Sequence, residues 1–316
     1  MTKVTIGTRG SKLARIQAAM AGEALQQSFP ELLVETVEIK TTGDKITDIP
    51  LEKIGDKGVF IKELEAALHN GEIDLAVHSM KDMPATLTPG LTIGAIMRRE
   101  EPRDAFIANV PVSGLSDLKP GSRIGSSSLR RKAQLLHHYP HLEICPVRGN
   151  IDTRIKKLQR GDFDGMVLAC AGLNRLGCAD MITARIPVDL CLPAVGQGAI
   201  GLEIKEGDNE TSTMVAALNC SQTAVAVHAE RAFLRRLEGG CQLPVGALAE
   251  KKGTKLHLTG MVASLDGKAL FTGEKEGDPG EAELLGTALA EELLKEGCGE
   301  VLAQIRREGG FGDGVN

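Results

Sequence analysis

The strongest indication of the fold is the stretch Ile73-Asp74-Leu75-Ala76-Val77-His78-Ser79-Met80-Lys81-Asp82-Met83-Pro84. Its first half is mostly apolar, which predicts a buried parallel strand, and Pro84 favours an extended conformation at Met83. In open α/β sheets, ligands bind beyond the carboxyl ends of the strands. Lys81 and Asp82 fall at that position, so we expect them at a binding edge, although a surface ion pair would give the same pattern.

A repeated order of strand, polar turn and helix surrounds this stretch. Ser11 and the Ser126-Ser127-Ser128 run each follow a strand and can cap the helix that comes next. This alternation predicts an α/β protein with parallel sheets. The predicted strands cover residues 3–8, 33–40, 73–78, 91–97, 123–125, 142–147, 164–171 and 200–204.

Two segments divide the predicted elements into lobes. Residues 98–104 are charged and contain a proline, which indicates a crossing between lobes, and the glycine-rich residues 192–199 indicate a return to the first lobe. A third unit begins near residue 219, with a hairpin turn at Asp266-Gly267 and a last helix over 281–296. We therefore expect domain 1 over 1–98 and 198–217, domain 2 over 103–193, and domain 3 over 219–309.

Composition excludes several classes of protein. The 316 residues carry a net charge of −5, no Trp and one Tyr, which argues against nucleic-acid binding. Seven cysteines, an odd number without Cys-x-x-Cys spacing, predict neither a disulfide framework nor a zinc site, and we expect no metal. No signal peptide and no membrane-spanning run is evident. We expect a soluble, cytoplasmic protein, with nothing to indicate an obligate interface between copies.

Six arginines fall near predicted strand C-termini or helix N-termini: Arg9, Arg130, Arg131, Arg148, Arg154 and Arg175. Two arginines in the first turn of one helix oppose the helix dipole, so stability alone does not favour them there. Six in equivalent positions predict one polyanionic ligand, held by guanidinium forks to carboxylate or phosphate groups.

Cys241 stands in the stretch Leu237-Glu238-Gly239-Gly240-Cys241-Gln242-Leu243-Pro244-Val245-Gly246. The two glycines give the backbone access to positive φ and leave the sulfur unshielded, and Pro244 prevents a helix from continuing. Such a thiol can be a nucleophile, a metal ligand or a covalent attachment point. Most free cysteines, however, are small buried hydrophobic residues.

Taken together, these segments resemble the porphobilinogen deaminase family over nearly the whole chain. The matching stretches are Thr8-Arg9-Gly10-Ser11, Lys57-Gly58-Val59-Phe60, His78 to Pro84, Ser127-Ser128-Leu129-Arg130-Arg131, Arg148-Gly149-Asn150, Ala171-Gly172-Leu173, Leu192 to Gly198, and Glu238-Gly239-Gly240-Cys241-Gln242. The resemblance implies two doubly wound lobes like those of periplasmic binding proteins, plus a smaller C-terminal α/β domain.

The resemblance also implies a reaction. Four porphobilinogen molecules are joined head to tail, each losing ammonia, to give hydroxymethylbilane, a step of haem and other tetrapyrrole biosynthesis. The growing chain is built on a dipyrromethane cofactor, which the resemblance attaches to Cys241 by a thioether. We expect the protein to act as a monomer on the small-molecule substrate porphobilinogen, and to bind neither nucleic acid nor a membrane. Each porphobilinogen carries an acetate and a propionate, which agrees with an arginine-lined cleft.

The resemblance assigns roles residue by residue. Asp82 would be the catalytic carboxylate, stabilising the positive charge that develops on the pyrrole and moving protons. The cofactor would contact Cys241, Lys81, Ser79, Asp82, Ser127, Ser128, Arg130, Arg131, Arg148 and Gly149. The substrate would contact Arg9, Ser11, Arg148, Arg154, Arg175, Gln197, Lys57 and Phe60.

Two other functions fit parts of the sequence. A two-lobed anion-binding protein without catalysis would use the same fold and give Cys241 no role. A cysteine-dependent acyl transferase would combine Cys241 with Asp82 and a base such as His78, and would need that base within hydrogen-bond reach of the sulfur.

Overall fold

The computed structural model describes residues 2–45, 61–238 and 243–308. Within these residues, the strands form three sheets. They are β1 (Lys3–Arg9), β2 (Leu33–Ile39), β3 (Leu75–Ser79), β4 (Leu91–Ile96), β5 (Asp104–Ala108), β6 (Arg123–Gly125), β7 (Glu143–Cys145), β8 (Gly165–Ala169), β9 (Ala184–Arg185), β10 (Ile200–Lys205), β11 (Val245–Lys252), β12 (Lys255–Ala263) and β13 (Leu270–Gly277). The helices are α1 (Lys12–Ser28), α2 (Thr42–Lys45), α3 (Lys62–Asn70), α4 (Leu129–His138), α5 (Ile151–Gln159), α6 (Cys170–Arg175), α7 (Asn209–Ala216), α8 (Ser221–Arg236), α9 (Ala282–Lys295) and α10 (Cys298–Glu308).

The first two sheets have the same arrangement. The first lobe has the order β2-β1-β3-β10-β4 and the second lobe has the order β7-β6-β8-β5-β9. In each, three parallel strands come first, and the fourth strand runs antiparallel to its neighbours. That fourth strand is the one that enters directly from the crossing between the lobes. The predicted crossing and the predicted return to the first lobe are both confirmed, as is an α/β architecture with two lobes of similar sheet order.

Buried central strands hold each sheet in place. In β8 every residue is buried, and in β3 only the last residue is partly exposed. A strand buried on both faces is expected to be almost continuously apolar, as these two are. Both strands therefore end at fixed points, and the residues that follow them are presented at the edge of the sheet.

One buried carboxylate joins the crossing segments to the third unit. Glu230 of α8 has no exposed surface and pairs with Arg99 in the outward crossing. Its oxygens also accept hydrogen bonds from the backbone N–H groups of Gly196 in the return segment and Ala249 in β11. Every oxygen of this buried charge is thus satisfied, which fixes the crossing relative to the C-terminal domain.

Glycine is required where the return segment passes the outward one. Gly198 has a φ of 91°, and a Cβ at this position would overlap the carbonyl oxygen of Glu100. The backbone N–H of Glu100 donates to the Gly198 carbonyl at 3.1 Å. A side chain here would therefore push apart the two segments that connect the lobes.

The C-terminal domain is an antiparallel sheet, β11-β12-β13, packed against α8, α9 and α10. Its core includes Phe233, Leu258 and Leu289, none of which has exposed surface. The predicted hairpin is present, with Gly267 at a φ of 73°. No helix among the described residues is long and apolar enough to cross a membrane.

Two predictions about secondary structure are wrong. The predicted strand over 164–171 ends at Ala169, where α6 begins, because a short buried apolar run does not distinguish strand from helix. The predicted last helix over 281–296 is followed by another, α10, because Gly297 ends α9 at a φ of 103°. Leu302 and Ile305, three positions apart, then bury one face of α10.

Candidate active site in the cleft between the lobes

A cavity of about 90 Å³ lies between the two lobes. The first lobe contributes α1, the end of β3 and the return segment, whereas the second lobe contributes α4, α5, β8 and α6. Contact between α1 and α6 brings the lobes together beside this cavity. Its polar lining residues are Gln17, Ser79, Lys81, Arg131, Arg154 and Arg175.

The end of β3 delivers three of the predicted residues to the cleft. Ser79 accepts a hydrogen bond from Nε2 of Gln17 on α1 at 2.9 Å. Met80, which is 1% exposed, anchors the short helical turn that follows. Lys81 lines the cavity, whereas Asp82 is exposed and lies within electrostatic reach of Lys81. The predicted position of Lys81 and Asp82, beyond a strand end, is confirmed.

Burial lowers the pKa of Lys81 to about 8. Asp82 acts in the opposite direction, Arg131 adds to the lowering, and Asp104 partly offsets it. An ammonium group inside a cleft that already contains guanidinium groups is costly unless an anion is present. The cleft therefore favours a negatively charged ligand beside Lys81.

Arg9 and Ser11 lie at the same sheet edge as Ser79. Arg9 is the last residue of β1, which runs parallel to β3 in the first sheet. The Ser11 side chain accepts a hydrogen bond from the backbone N–H of Ala14 at 3.2 Å and thus caps α1. The predicted cap is confirmed, whereas ligand contacts of Arg9 and Ser11 stay predictions.

Arg130 and Arg131 share one buried carboxylate. Asp104, the first residue of β5, lies 2.9 Å from Nη1 of Arg130 and 2.7 Å from Nη2 of Arg131. Burial alone would raise the pKa of Asp104, but the two guanidinium groups hold it well below its usual value. Asp104 is thus an anion within the protein, so the place of these two arginines in the first turn of α4 does not itself require an anionic ligand. Their predicted cofactor contacts stay predictions.

Arg148, Arg154 and Arg175 differ from this pair in having no carboxylate partner within the part of the chain that the structure describes. Among the described residues, no carboxylate lies within salt-bridge distance of their guanidinium groups. Arg154 instead donates to the Gly149 carbonyl at 2.7 Å, and Arg175 donates to the Gly198 carbonyl, also at 2.7 Å. These three guanidinium groups are thus the ones most available to a ligand.

Burial is the main cause of the pKa shifts of Arg154 and Arg175. Burial, together with the positive charges of Arg131 and Arg148 and against the opposing charge of Asp82, lowers the pKa of Arg154 to about 10. Burial also lowers the pKa of Arg175, against the influence of Glu100. Asp82 of the first lobe therefore lies within electrostatic reach of Arg154 in the second.

Hydrogen bonds connect the turn that follows β6 with the turn that follows β7 in the second lobe. Ser127 donates to the carbonyl of Val147 at 2.7 Å and accepts from its N–H at 2.8 Å. Ser128 caps α4 by accepting from the N–H of Arg131. Gly149 has a φ of 107°, which allows its carbonyl to receive Arg154. Cofactor contacts of Ser127, Ser128 and Gly149 stay predictions.

Gln197 lies at the junction of the lobes and is 1% exposed. Its side-chain nitrogen donates to the Pro102 carbonyl at 2.7 Å and to Asp104 at 2.9 Å. Its side-chain oxygen is 3.5 Å from Nζ of Lys81. The described contacts of Gln197 are therefore within the protein, and its predicted substrate contact stays a prediction.

Three predicted residues, Lys57, Phe60 and Cys241, lie outside the described residues. Two residues of the site, Gln17 and Asp104, were not predicted from the sequence. Gln17 is a buried polar residue on the otherwise apolar face of α1, which is a signal that the sequence contains. The sequence around Asp104 does not indicate its role, because its partners Arg130 and Arg131 are 26 and 27 positions away.

Comparison with known proteins decides the family. The model "Porphobilinogen deaminase, dipyromethane cofactor binding domain" matches residues 4–213, and "Porphobilinogen deaminase, C-terminal domain" matches residues 224–295. The chain belongs to the porphobilinogen deaminase family. The first match ends within α7, and the second begins in the first turn of α8.

Relatives within this family match almost from end to end. A porphobilinogen deaminase of Carboxydothermus hydrogenoformans is 51% identical over 306 residues, covering 97% of this chain and 98% of the relative. One of Moorella thermoacetica is 50% identical over 310 residues, covering 98% and 99%. Among solved structures, the methionine binding protein MetQ is 13% identical at a TM-score of 0.45, covering 72% of this chain and 93% of that one.

The described residues fit the dipyrromethane cofactor of this family, whose pyrrole rings carry carboxylate arms. Buried Nη2 of Arg148 and Nε of Arg175 have no hydrogen-bond partner among the described groups. Unsatisfied buried donors are costly, and carboxylate oxygens are strong acceptors for guanidinium groups. These donors, together with Lys81, give the cleft the positively charged hydrogen-bond donors that the carboxylates of a chain of linked pyrroles require.

Proposed function

We propose that this enzyme of the porphobilinogen deaminase family joins four porphobilinogen molecules head to tail, with release of one ammonia each, to give hydroxymethylbilane. The observation that supports this most directly is the pair of guanidinium groups that line the cleft, Arg154 and Arg175, which donate to backbone carbonyls and have no carboxylate within salt-bridge distance among the described residues. A product that gains two carboxylates with every unit requires such a surplus of donors.

The arginines bind and orient the substrate. Guanidinium groups grip a carboxylate through two parallel hydrogen bonds, which fixes the plane of the attached pyrrole as well as its position. We assign substrate carboxylates to Arg154 and Arg175, with Arg148 serving both cofactor and substrate. Arg9, Ser11, Gln197, Lys57 and Phe60 complete the predicted set of substrate contacts.

Asp82 is the catalytic carboxylate of this proposal. Loss of ammonia from porphobilinogen leaves positive charge on the substrate pyrrole, and a nearby carboxylate stabilises that charge. Asp82 is exposed and acts electrostatically on two residues that line the cavity from opposite lobes, Lys81 and Arg154. It can therefore reach a substrate held between the lobes and move a proton to or from it.

When bound, dipyrromethane supplies the primer on which the first porphobilinogen is added. Cys241 would hold it by a thioether, which is a permanent anchor because a thioether is not hydrolysed in turnover. Ser79 and Lys81 of the first lobe, together with Arg130 and Arg131 of α4, would contact its carboxylates. Ser127, Ser128, Arg148 and Gly149 would contact it from the turns of the second lobe.

The proposal also includes the domain boundaries, the cellular compartment and the oligomeric state. We place domain 1 at residues 1–98 and 198–217, domain 2 at 103–193, and domain 3 at 219–309. The six described cysteines are free thiols, which supports the cytoplasm as the compartment. We propose a monomer, because one chain contributes every described wall of the cleft.

Asp82→Asn tests the proposal. The amide keeps the shape of the side chain but can neither carry negative charge nor accept a proton, so we expect a loss of about 100-fold or more in ammonia release from porphobilinogen. The intact mass should show that the cofactor is retained. Near-normal turnover would remove Asp82 from the mechanism, and absence of ammonia release by the unaltered enzyme would contradict the function.

A further inference from the structure

Gln197 lies where the two segments that connect the lobes pass each other. The glycines on either side of it leave no room for a side chain of their own. A Cβ on Gly196 would lie 2.8 Å from Cβ of Met80, and a Cβ on Gly198 would overlap the Glu100 carbonyl oxygen. Both glycines have a positive φ, 69° and 91°. The backbone of Gln197 is therefore closely confined, which limits the positions that its side chain can reach.

Hydrogen bonds hold both backbone groups of Gln197. Its carbonyl accepts from Nε of Arg99 at 2.8 Å, and its N–H donates to the Ala194 carbonyl at 2.9 Å. Arg99 is itself fixed, because its guanidinium group pairs with the buried carboxylate of Glu230. The side chain of Gln197 thus starts from a rigid point between the two lobes.

The neighbours of the Gln197 side chain decide which way its amide is turned. Its nitrogen lies 2.9 Å from the carboxylate of Asp104, which is ionised between two guanidinium groups, and 2.7 Å from the Pro102 carbonyl. Both neighbours are acceptors, so the nitrogen has to face them. The amide oxygen then faces the opposite way and lies 3.5 Å from Nζ of Lys81. The amide therefore presents an acceptor to Lys81.

An acceptor at this place matters because most charges around Lys81 are positive. The charged groups around it are Asp82 in its own turn, Asp104 of β5, Arg130 and Arg131 of α4, and Arg154 and Arg175, which line the same cavity. A hydrogen bond to the charged form of a group favours that form. A distance of 3.5 Å is the long limit for such a bond. The contact therefore orients the ammonium group and leaves its other donors available to a ligand.

We propose that Gln197 is a positioning residue for Lys81, whose amide directs the ammonium group of Lys81 towards a ligand carboxylate in the cleft and favours its charged form. This inference rests on the proposed function, in which the carboxylates belong to the pyrroles of cofactor and substrate. The connection runs from Asp104 in the second lobe, through one amide of the return segment, to Lys81 in the first lobe. It acts through Lys81 and does not require that Gln197 touch the ligand.

The test uses the full-length chain without cofactor and a porphobilinogen analogue that lacks the aminomethyl group, with affinity measured by calorimetry. The affinity of the unaltered chain should fall about fourfold between pH 7 and 8.5, because the pKa of Lys81 is about 8. Gln197→Met keeps the bulk of the side chain but removes the acceptor, so the charge of Lys81 should be lost at lower pH. We expect a fall of about tenfold over the same range. A fall of about fourfold in Gln197→Met would overturn the inference.

Gln134→Met is the matched control. Gln134 is a buried glutamine that also connects the second lobe to the return segment. Its nitrogen donates to the Leu192 carbonyl at 3.2 Å, and its oxygen accepts from the Leu192 N–H at 2.7 Å. The variant should lose similar stability but keep the fourfold profile. A tenfold fall in Gln134→Met as well would attribute the effect to the loss of a buried amide and would contradict the role of Gln197.

A double-mutant cycle separates positioning of Lys81 from direct contact with the ligand. At pH 8.5, Gln197→Met should weaken binding about fourfold in the chain that contains Lys81. In the Lys81→Met chain, the same change should alter affinity by less than about twofold, because the group on which Gln197 acts is gone. Equal losses in the two chains would mean that Gln197 contacts the ligand directly, and the inference would be wrong.

A second readout does not depend on a pyrrole ligand. Acetic anhydride acetylates the neutral amine of a lysine, and peptide mapping of the same chains gives the rate at Lys81. At pH 7, this rate should be about threefold higher in Gln197→Met and unchanged in Gln134→Met. If the unaltered chain binds no analogue and releases no ammonia from porphobilinogen, the proposed function fails, and the acetylation rates still test Gln197. Equal acetylation rates in Gln197→Met and the unaltered chain would refute its role.

Discussion

Two groups of arginines in the second lobe look alike in the sequence and differ in the structure. Arg130 and Arg131, in the first turn of α4, surround the buried carboxylate of Asp104. Arg154 of α5 and Arg175 of α6 have no carboxylate partner among the described residues and donate to backbone carbonyls instead. The charges of the first group are therefore balanced within the protein even before a cofactor binds, whereas the described residues offer the second group no such balance.

The comparison shows why position alone does not reveal what an arginine does. All four arginines lie near the edge where strands end and helices begin, which is the binding edge of an α/β fold. An internal acid distinguishes the two groups, and it reaches α4 from β5. The first group should therefore control folding stability, and the second group should control binding of an anion.

The largest effect is expected when the internal acid is neutralised. Asp104→Asn leaves two buried guanidinium groups without their carboxylate, so we expect the free energy of unfolding to fall by about 3–5 kcal/mol. Denaturant titration measures this change. Arg154→Met, which removes a cation without an acidic partner, is the matched control and should not lower the stability measurably. Equal losses in both variants would erase the distinction between the two groups.

A smaller effect is expected when a cation is removed from the binding group, by which we mean Arg148, Arg154 and Arg175. Arg148→Leu loses one carboxylate fork, so affinity for an anionic pyrrole should fall about tenfold, with little change in unfolding free energy. Calorimetry on the cofactor-free chain can measure this with a porphobilinogen analogue that lacks the aminomethyl group. Unchanged affinity, together with unchanged cofactor loading, would remove Arg148 from the binding group.

The smallest effect is a pH dependence from Lys81. Its pKa of about 8 in the ligand-free chain means that the ammonium charge is present below pH 8 and is lost as the pH rises above it. Affinity for the same analogue should therefore fall roughly fourfold between pH 7 and 8.5, as expected for one proton coupled to binding. Lys81→Arg stays charged over this range and should flatten the profile. A profile that is equally steep in both proteins would assign the titration to another group.

Much of the fold follows from local patterns in the sequence. The strand at β3, the caps at Ser11 and Ser128, and the glycine turn of the hairpin depend on neighbours within a few positions. The start of α6 and the existence of α10 were missed. Short apolar runs fit either a strand or a helix until the tertiary packing decides between them.

The candidate site was predictable in its residue types but not in its charge balance. Lys81 and Asp82 were placed correctly because a strand end fixes them. The pairing of Asp104 with Arg130 and Arg131 depends on contacts across 26 and 27 positions, and that of Gln17 with Ser79 on a contact across 62. Such contacts exist only after the lobe has folded, so no local pattern reveals them.

The most direct test of the account is the intact mass of the purified chain, combined with peptide mapping around Cys241. We expect an excess equal to two linked pyrrole units, located on the peptide that contains Cys241. An unmodified Cys241 in freshly prepared protein, which also gains no adduct when porphobilinogen is added, would contradict the proposed function. A two-lobed protein that binds anions reversibly would then be the better description.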